Sequence, residues 1–358
     1  MAYWSGYCLE GIAPKEKDIQ YHNIRKSPFK IYGLHRINND NYYRLPVQIA
    51  ETVSDGVLTH MKSSAGVRVR FSTNSPFVAV RAEIEEFSPA PHVTDLANKG
   101  FDLYTVKEGK YKYHNSFCPP LDTENEVCGI TYFSDEKTRD ILIDFPNGAA
   151  VVSLEVGIKK GSVLSEGGDY QNRLPIVFYG SSITQGFAAS RPGNSYENFI
   201  SRWLNVDYIN MGFSGSAMGE ENLARYLSKI PMSAFVLDYD YNSPDVEHLT
   251  NTHLNFYRIV RDNNPYIPIV VVSRPEPPGS KEGSERRKVI TDTFKAALEN
   301  GETNTYFVDG STFFGKDAIS DCTVDGCHPN DLGMYFIARK IGKTISRISI
   351  NEALYDKD

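Results

Sequence analysis

A hydroxyl becomes a nucleophile only when a base takes its proton and a third group fixes that base, and this sequence offers all three. The apolar run Pro175–Tyr179 stops at Gly180-Ser181-Ser182. It reads as a short buried strand, so Ser182 falls on the turn at the strand's carboxyl end, where open parallel sheets present groups to ligands. Far along the chain stands Asp325-Gly326-Cys327-His328-Pro329-Asn330. An Asp three residues before a His can fold back and accept the Nδ1 proton, which leaves Nε2 free to take a proton from a serine. Gly326 permits a tight turn, and Pro329 keeps His328 on a loop ahead of a helix that starts near Asn330. Gly-Ser-Ser is also ordinary turn composition, so a loop without chemistry is the competing reading of that stretch alone.

Other chemistry on the same residues is weaker. Cys322 and Cys327 flank His328, but zinc sites want closer cysteine pairs and a second pair elsewhere, so no metal is expected. Cys327 as nucleophile would have to align with a base in the adjacent residue. His248 and His253, five apart on a helical stretch, do not share a face as a metal pair would.

Four blocks in this order resemble the SGNH (GDSL-type) hydrolases. The family's Gly-Asp-Ser-Ile/Leu-Thr stands here as Gly180-Ser181-Ser182-Ile183-Thr184, with Ser181 in place of the Asp. Its second block appears as Asn210-Met211-Gly212-Phe213-Ser214-Gly215. Its third, Gly-x-Asn-Asp, survives as Asp240-Tyr241-Asn242-Ser243, and its last is complete at Asp325, His328 and Pro329. The resemblance covers roughly the last half of the chain. It implies Ser182 as nucleophile, His328 as base, Asp325 as its orienting carboxylate, and an oxyanion hole built from the Ser182 and Gly215 N–H groups and the Asn242 amide, with no cofactor. Gly100-Phe101-Asp102-Leu103-Tyr104 resembles the Gly-x-Asp-Leu-Tyr signature of a β domain that precedes one subgroup of these hydrolases. Asp102 and Tyr104 are therefore candidates for contact with substrate or between domains, and Tyr241, in the run Tyr239-Asp240-Tyr241, is a candidate for lining the pocket, with packing at the strand end as the alternative. The alternative for Asp102 is a bulge or turn whose backbone amides it caps.

These residues need elements to hold them. Beyond residue 168, strands at Ile176–Tyr179, Tyr208–Asn210, Ala234–Asp238, Ile267–Ser273 and Thr305–Val308 alternate with helices beginning near Ser195, Glu220, Val246, Lys281 and Asn330. Such alternation predicts a doubly wound parallel α/β sheet, flavodoxin-like by the resemblance. Ser182, Gly215 and Asn242 each fall just past one of its strands. An α/β-hydrolase elbow is disfavoured because Thr184 stands where Gly-x-Ser-x-Gly needs its second glycine, and a dinucleotide fold lacks its glycine spacing. Before residue 168 the period is two, as in Val67-Arg68-Val69-Arg70-Phe71 and Phe77–Ile84, which predicts an antiparallel sandwich or jelly roll. The glycine-rich stretch Lys159–Tyr170 reads as a linker, so the expected domains are 1–168 and 169–358.

Of 358 residues, 41% are hydrophobic and 23% charged, with a net charge of −7. This is globular composition, and the charge disfavours nucleic acid and anionic membranes as partners. Neither a signal peptide nor an apolar run of membrane-spanning length is recognisable, which gives a cytoplasmic expectation. The odd set Cys8, Cys118, Cys128, Cys322 and Cys327 fits free thiols in a reducing compartment. For substrate, the lack of a long apolar lid favours a small acyl group, and a tyrosine-rich β domain suits carbohydrate. The expectation is acetyl esters of a small-molecule or oligosaccharide alcohol. The alternatives are a short-chain esterase or lysophospholipase-like hydrolase on non-sugar esters, and a catalytically idle carbohydrate-binding protein.

Overall fold

The computed structural model describes residues 16–36, 41–85, 90–118, 125–276, 279–315 and 318–348; Cys8 lies outside them. The chain forms two compact units, each built from more than one segment of the sequence. The first comprises Met1–Arg44, Lys62–Gln171 and Ala189–Asn194; the second comprises Leu45–Met61, Asn172–Ala188 and Ser195–Asp358. Leu45–Met61 carries the short helices α1 (Val47–Ala50) and α2 (Asp55–His60). No described helix is long and apolar enough to cross a membrane.

The first unit is an antiparallel sandwich, as the period of two predicts. Its strands are β1 (Ile19–Asn23), β2 (Lys30–Tyr32), β3 (Arg68–Thr73), β4 (Phe77–Glu85), β5 (Phe101–Lys107), β6 (Lys110–Phe117), β7 (Glu126–Tyr132), β8 (Arg139–Asp144), β9 (Ala150–Lys159) and β10 (Leu164–Ser165). One sheet runs β1-β9-β4-β7; the other runs β10-β3-β8-β5-β6, with β2 also on β3. Alternate side chains such as Val78, Val80, Val69, Phe71, Leu103 and Ile143 form the shared core, each contributing ~1.5–3 kcal/mol by leaving water. The other face of β3 is not left to solvent: Arg68 and Arg70 are buried too. Arg68 Nε donates to the Tyr170 hydroxyl at 3.0 Å, and the Arg70 guanidinium lies 4.7 Å from the Tyr170 ring centroid. The stretch expected to be a linker is thus laid onto the sandwich, with β10 paired to β3 and Asp169 holding Lys30 at 2.9 Å.

The Gly-x-Asp-Leu-Tyr stretch opens β5, directly after helix α3 (Asp95–Lys99). Asp102 is 0% exposed and accepts from Ser116 Oγ at 2.6 Å, from Gly193 N at 2.8 Å and from the Arg191 guanidinium. Arg191 also donates to the Tyr104 hydroxyl at 2.6 Å and lies 4.2 Å from the Tyr113 ring centroid. A Cβ on Gly193 would fall 2.2 Å from that Tyr104 hydroxyl, so only glycine allows this approach. The carboxylate therefore caps a backbone amide, one of the two sequence readings, and clasps residues 189–194 into the sandwich.

The second unit is a parallel sheet of β11 (Asn172–Gly180), β12 (Val206–Gly212), β13 (Ala234–Asp238), β14 (Ile269–Val272) and β15 (Thr305–Val308). Its order, β12-β11-β13-β14-β15, is that of a doubly wound, flavodoxin-like sheet. The helices are α4 (Ser182–Gln185), α5 (Tyr196–Leu204), α6 (Glu221–Leu227), α7 (Val246–Asn263), α8 (Lys281–Glu299), α9 (Ile319–Cys322) and α10 (Asp331–Ser346). Local chemistry starts the long ones: Ser195, Asp245, Ser280 and Asn330 each cap with a side-chain oxygen, which satisfies amides the first turn leaves orphaned. At the end of β13, Asp238 is buried and accepts from Tyr196 at 3.2 Å and from Thr184 of α4 at 3.4 Å. Burial, offset in part by these hydrogen bonds, pushes its carboxyl up to about 8, and burial pushes neighbouring Glu197 in the same direction.

Two outcomes follow from these buried carboxyls. Arg191→Met strips Asp102 of its cation and is expected to destabilise the sandwich by ~3–5 kcal/mol, read as a lower urea midpoint; an unchanged midpoint would mean the pair carries no net stability. Asp238 is bound to its proton more tightly in the folded chain than at its ordinary value of 3.8. Its stabilising effect is therefore complete below that value and is lost as pH rises through about 8. Denaturant midpoints should fall from acid to alkaline pH, and Asp238→Asn should flatten that slope.

Candidate active site

The site lies where β11 and β13 deliver their loops at the carboxyl edge of the sheet, the switch point of this topology. The backbone leaves β11 at Gly180 and turns into α4, whose first residue is Ser182. Ser181 caps that turn, its Oγ accepting from Ile183 N at 3.2 Å. The serine standing where the family has Asp is thus itself a good N-cap residue, so the substitution keeps a side-chain oxygen for this amide. Ser182 is only 7% exposed, and its Oγ lies 3.0 Å from His328 Nε2.

His328 sits on the loop between α9 and α10. Asn330 anchors that loop by donating to Asp321 O at 2.7 Å and by capping α10. Asp325 folds back as its spacing predicts: Oδ2 lies 2.6 Å from His328 Nδ1, and Oδ1 accepts from the Cys327 and His328 amides at 2.9 and 2.7 Å. Burial pushes the Asp325 carboxyl up, but the hydrogen bonds from the His328 ring and the two amides outweigh it and hold the group down at about 2. It stays anionic through the working pH range, which keeps the imidazole proton on Nδ1 and the Nε2 lone pair toward Ser182. The Phe187 ring packs beside His328 at 5.4 Å between centroids.

Two further loops close on the serine. After β12, Phe213 N donates to Gly180 O at 2.9 Å, and Gln185 of α4 accepts from Ser214 N at 3.0 Å. Asn210 binds the Thr184 carbonyl at 2.6 Å. These bonds tie the Gly215 turn to the Ser182 turn. Gly215 has φ +64° with open space where a Cβ would stand, a left-handed conformation that favours glycine. After β13, Asn242 donates one amide hydrogen to Phe213 O at 2.9 Å, leaving a second hydrogen on Nδ2 for another acceptor.

Ser182, His328, Asp325, Gly215 and Asn242 are thus brought to one sheet edge. Asp102 and Tyr104 belong to the sandwich, in the clasp on Arg191, and Tyr241 spends its hydroxyl on Pro275 O at 2.8 Å. His253 is buried against Thr293 and His248 reaches Met218 O at 2.8 Å. The described cysteines are all free thiols. The sequence reading missed Gln185, which has no motif signal beyond its place in the nucleophile block, and Arg286 and Arg274, treated below.

Comparison with known proteins finds matches to both units of the chain. Residues 173–346 match the GDSL-like Lipase/Acylhydrolase family, and residues 19–164 match GxDLY, the N-terminus of Esterase_SGNH_hydro-type. No curated protein sequence matches the chain. Among solved structures it is similar to a protein of Bacteroides ovatus ATCC 8483 described as a GDSL-like lipase, with 26% identity and TM-score 0.83 over 92% of this chain and 97% of that one. It is similar in fold to the salicylyl-acyltransferase SsfX3 from a tetracycline biosynthetic pathway, with 17% identity and TM-score 0.77 over 94% and 100% of the two chains. A family two carbohydrate esterase from Clostridium thermocellum, solved in complex with cellohexaose, shares the fold at 15% identity and TM-score 0.60 over 79% and 92%. Residues 173–346 thus belong to the GDSL-like lipase/acylhydrolase family, and residues 19–164 form the GxDLY-type N-terminal domain of SGNH esterases.

Proposed function

We propose that the protein is a serine esterase that hydrolyses small acyl esters, acetyl foremost, on carbohydrate substrates. The observation that carries the serine mechanism is the continuous line from Asp325 through His328 to Ser182, at 2.6 and 3.0 Å. Ser182 Oγ attacks the ester carbonyl while its proton passes to His328 Nε2. The carbonyl oxygen becomes an oxyanion, met by the Ser182 and Gly215 N–H groups and the free hydrogen of the Asn242 amide. Collapse of the intermediate breaks the ester C–O bond, and the His328 proton leaves with the alcohol. Water then attacks the acyl-serine, giving its proton to His328, and the acid departs as Ser182 is restored.

The near-complete burial of Ser182, with Phe187 packed on His328, supports a short acyl group. The carbohydrate assignment draws on the fold shared with the cellohexaose-bound esterase. It is tested by assaying acetylated oligosaccharides, aryl acetates and longer-chain non-sugar esters side by side. A higher kcat/KM on the acetylated sugars is expected; preference for the non-sugar esters would overturn the substrate class.

In the same assay Ser182→Ala and His328→Ala should each lose on the order of 10³-fold or more in kcat, and the double variant should be scarcely worse, because the relay acts as a unit. Asp325→Asn should be milder. Near-normal turnover by Ser182→Ala together with an inactive Cys327→Ala would replace the nucleophile. Asn242→Ala should lower kcat by roughly 10²-fold with KM little changed, since the amide meets charge that develops only in the transition state. A raised KM at constant kcat would make Asn242 a plain substrate contact.

A further inference from the structure

The turn that presents Asn242 has lost both flanking residues of the family block, with Asp240 and Ser243 standing where Gly and Asp are usual. It is a single 3-10 turn, Asp240–Asn242, between β13 and α7. So short a turn makes few backbone bonds of its own, Asp240 O accepting from Ser243 N at 3.3 Å. Helix α8 adds side-chain donors to it. Arg286 is 2% exposed, and its guanidinium bridges the turn: Nη1 donates to Asp240 O and Nη2 to Ser243 O, both at 3.0 Å. The two carbonyls bracket residue 242. Nη1 also lies 3.4 Å from Asp240 Oδ1, and Nε reaches Glu282 at 2.8 Å.

The rest of the turn is fixed toward the end of β14. The Asp240 carboxylate, 1% exposed, accepts from Arg274 N at 3.0 Å. The Arg274 side chain pairs with Glu276 and lies 5.4 Å from the Tyr241 ring centroid, while the Tyr241 hydroxyl holds Pro275 O. A planar fork holds separate donors in fixed directions toward two carbonyls three residues apart, whereas the three donors of an ammonium share one nitrogen on a flexible stem.

We infer that Arg286 is a positioning residue for the reaction: by bridging the carbonyls of Asp240 and Ser243 it fixes the direction in which the Asn242 amide points its free hydrogen. This rests on the reading of Asn242 as an oxyanion donor. Arg286 itself touches no reacting atom. Its loss tilts a donor that must meet the oxyanion within a few tenths of an ångström, a displacement that costs rate and not ground-state binding.

The test is a double-variant cycle on the full chain with an aryl acetate, kcat being expressed per serine titrated by a fluorophosphonate so that unfolded protein is not counted. Arg286→Lys keeps the charge and loses the fork; Arg286→Met loses both. Arg286→Lys is expected to lower kcat about tenfold and Arg286→Met somewhat more, with KM within about twofold of the parent. In the Asn242→Ala background either change should cost less than about threefold further, because the donor it aligns is gone. Should Arg286→Met not fold, Arg286→Lys alone decides. The inference is overturned if Arg286→Lys leaves kcat per titrated site unchanged while Asn242→Ala loses its activity, or if the two losses multiply. If Asn242→Ala keeps full kcat, the oxyanion reading falls, and this inference with it.

Discussion

The hydrogen bond between His328 Nδ1 and Asp325 is the constraint on which the site depends. It must hold one tautomer of an imidazole that spends much of its time beside a hydroxyl of ordinary acidity, and it does so with a carboxylate three residues away. Such closeness is economical: the four residues Asp325–His328 carry both the imidazole and the carboxylate that orients it, and Gly326, with φ +85°, closes the turn. What that loop cannot supply is the hydroxyl, which comes from 146 residues earlier. The sheet resolves this. β11 lies between β12 and β13, so the turns after these three strands open side by side, and α10 roots the histidine loop against the same unit through its cap at Asn330.

The same edge shows how turns that depart from the family's usual residues are held. At Ser181 the replacement is conservative in physical terms, because a serine oxygen caps an amide much as an aspartate oxygen does. At Asp240 and Ser243 it is not, and the structure holds the turn by another route, a buried guanidinium from α8. Buried ion pairs contribute little net stability; the bond pattern here instead specifies one conformation of one turn.

Local signals were legible where chemistry and geometry lie within a few residues. Ser195 and Asn330 mark helix starts because a cap is a short-range device, and the Asp325 to His328 spacing implies its own fold-back. Alternation in Val67–Phe71 identified the core face of β3, but not that Arg68 and Arg70 would be buried as well, since their cover is Tyr170, about a hundred residues on. Arg286 left no trace in the sequence for the same reason: nothing in a helix of mixed charge says which arginine turns inward. The clasp on Arg191 was beyond reach too, although the Asp that makes it stands in a recognisable block.

That clasp has a consequence in time. Asp102 and Arg191 are separated by 89 residues, and at ordinary rates of synthesis the arginine leaves the ribosome on the order of ten seconds after the aspartate. Until then Asp102 has the Ser116 hydroxyl for a partner but not its guanidinium. The second unit has the opposite history, for its piece at Leu45–Met61 is made long before the sheet it joins. Each unit is therefore completed only after a stretch of the other has been made.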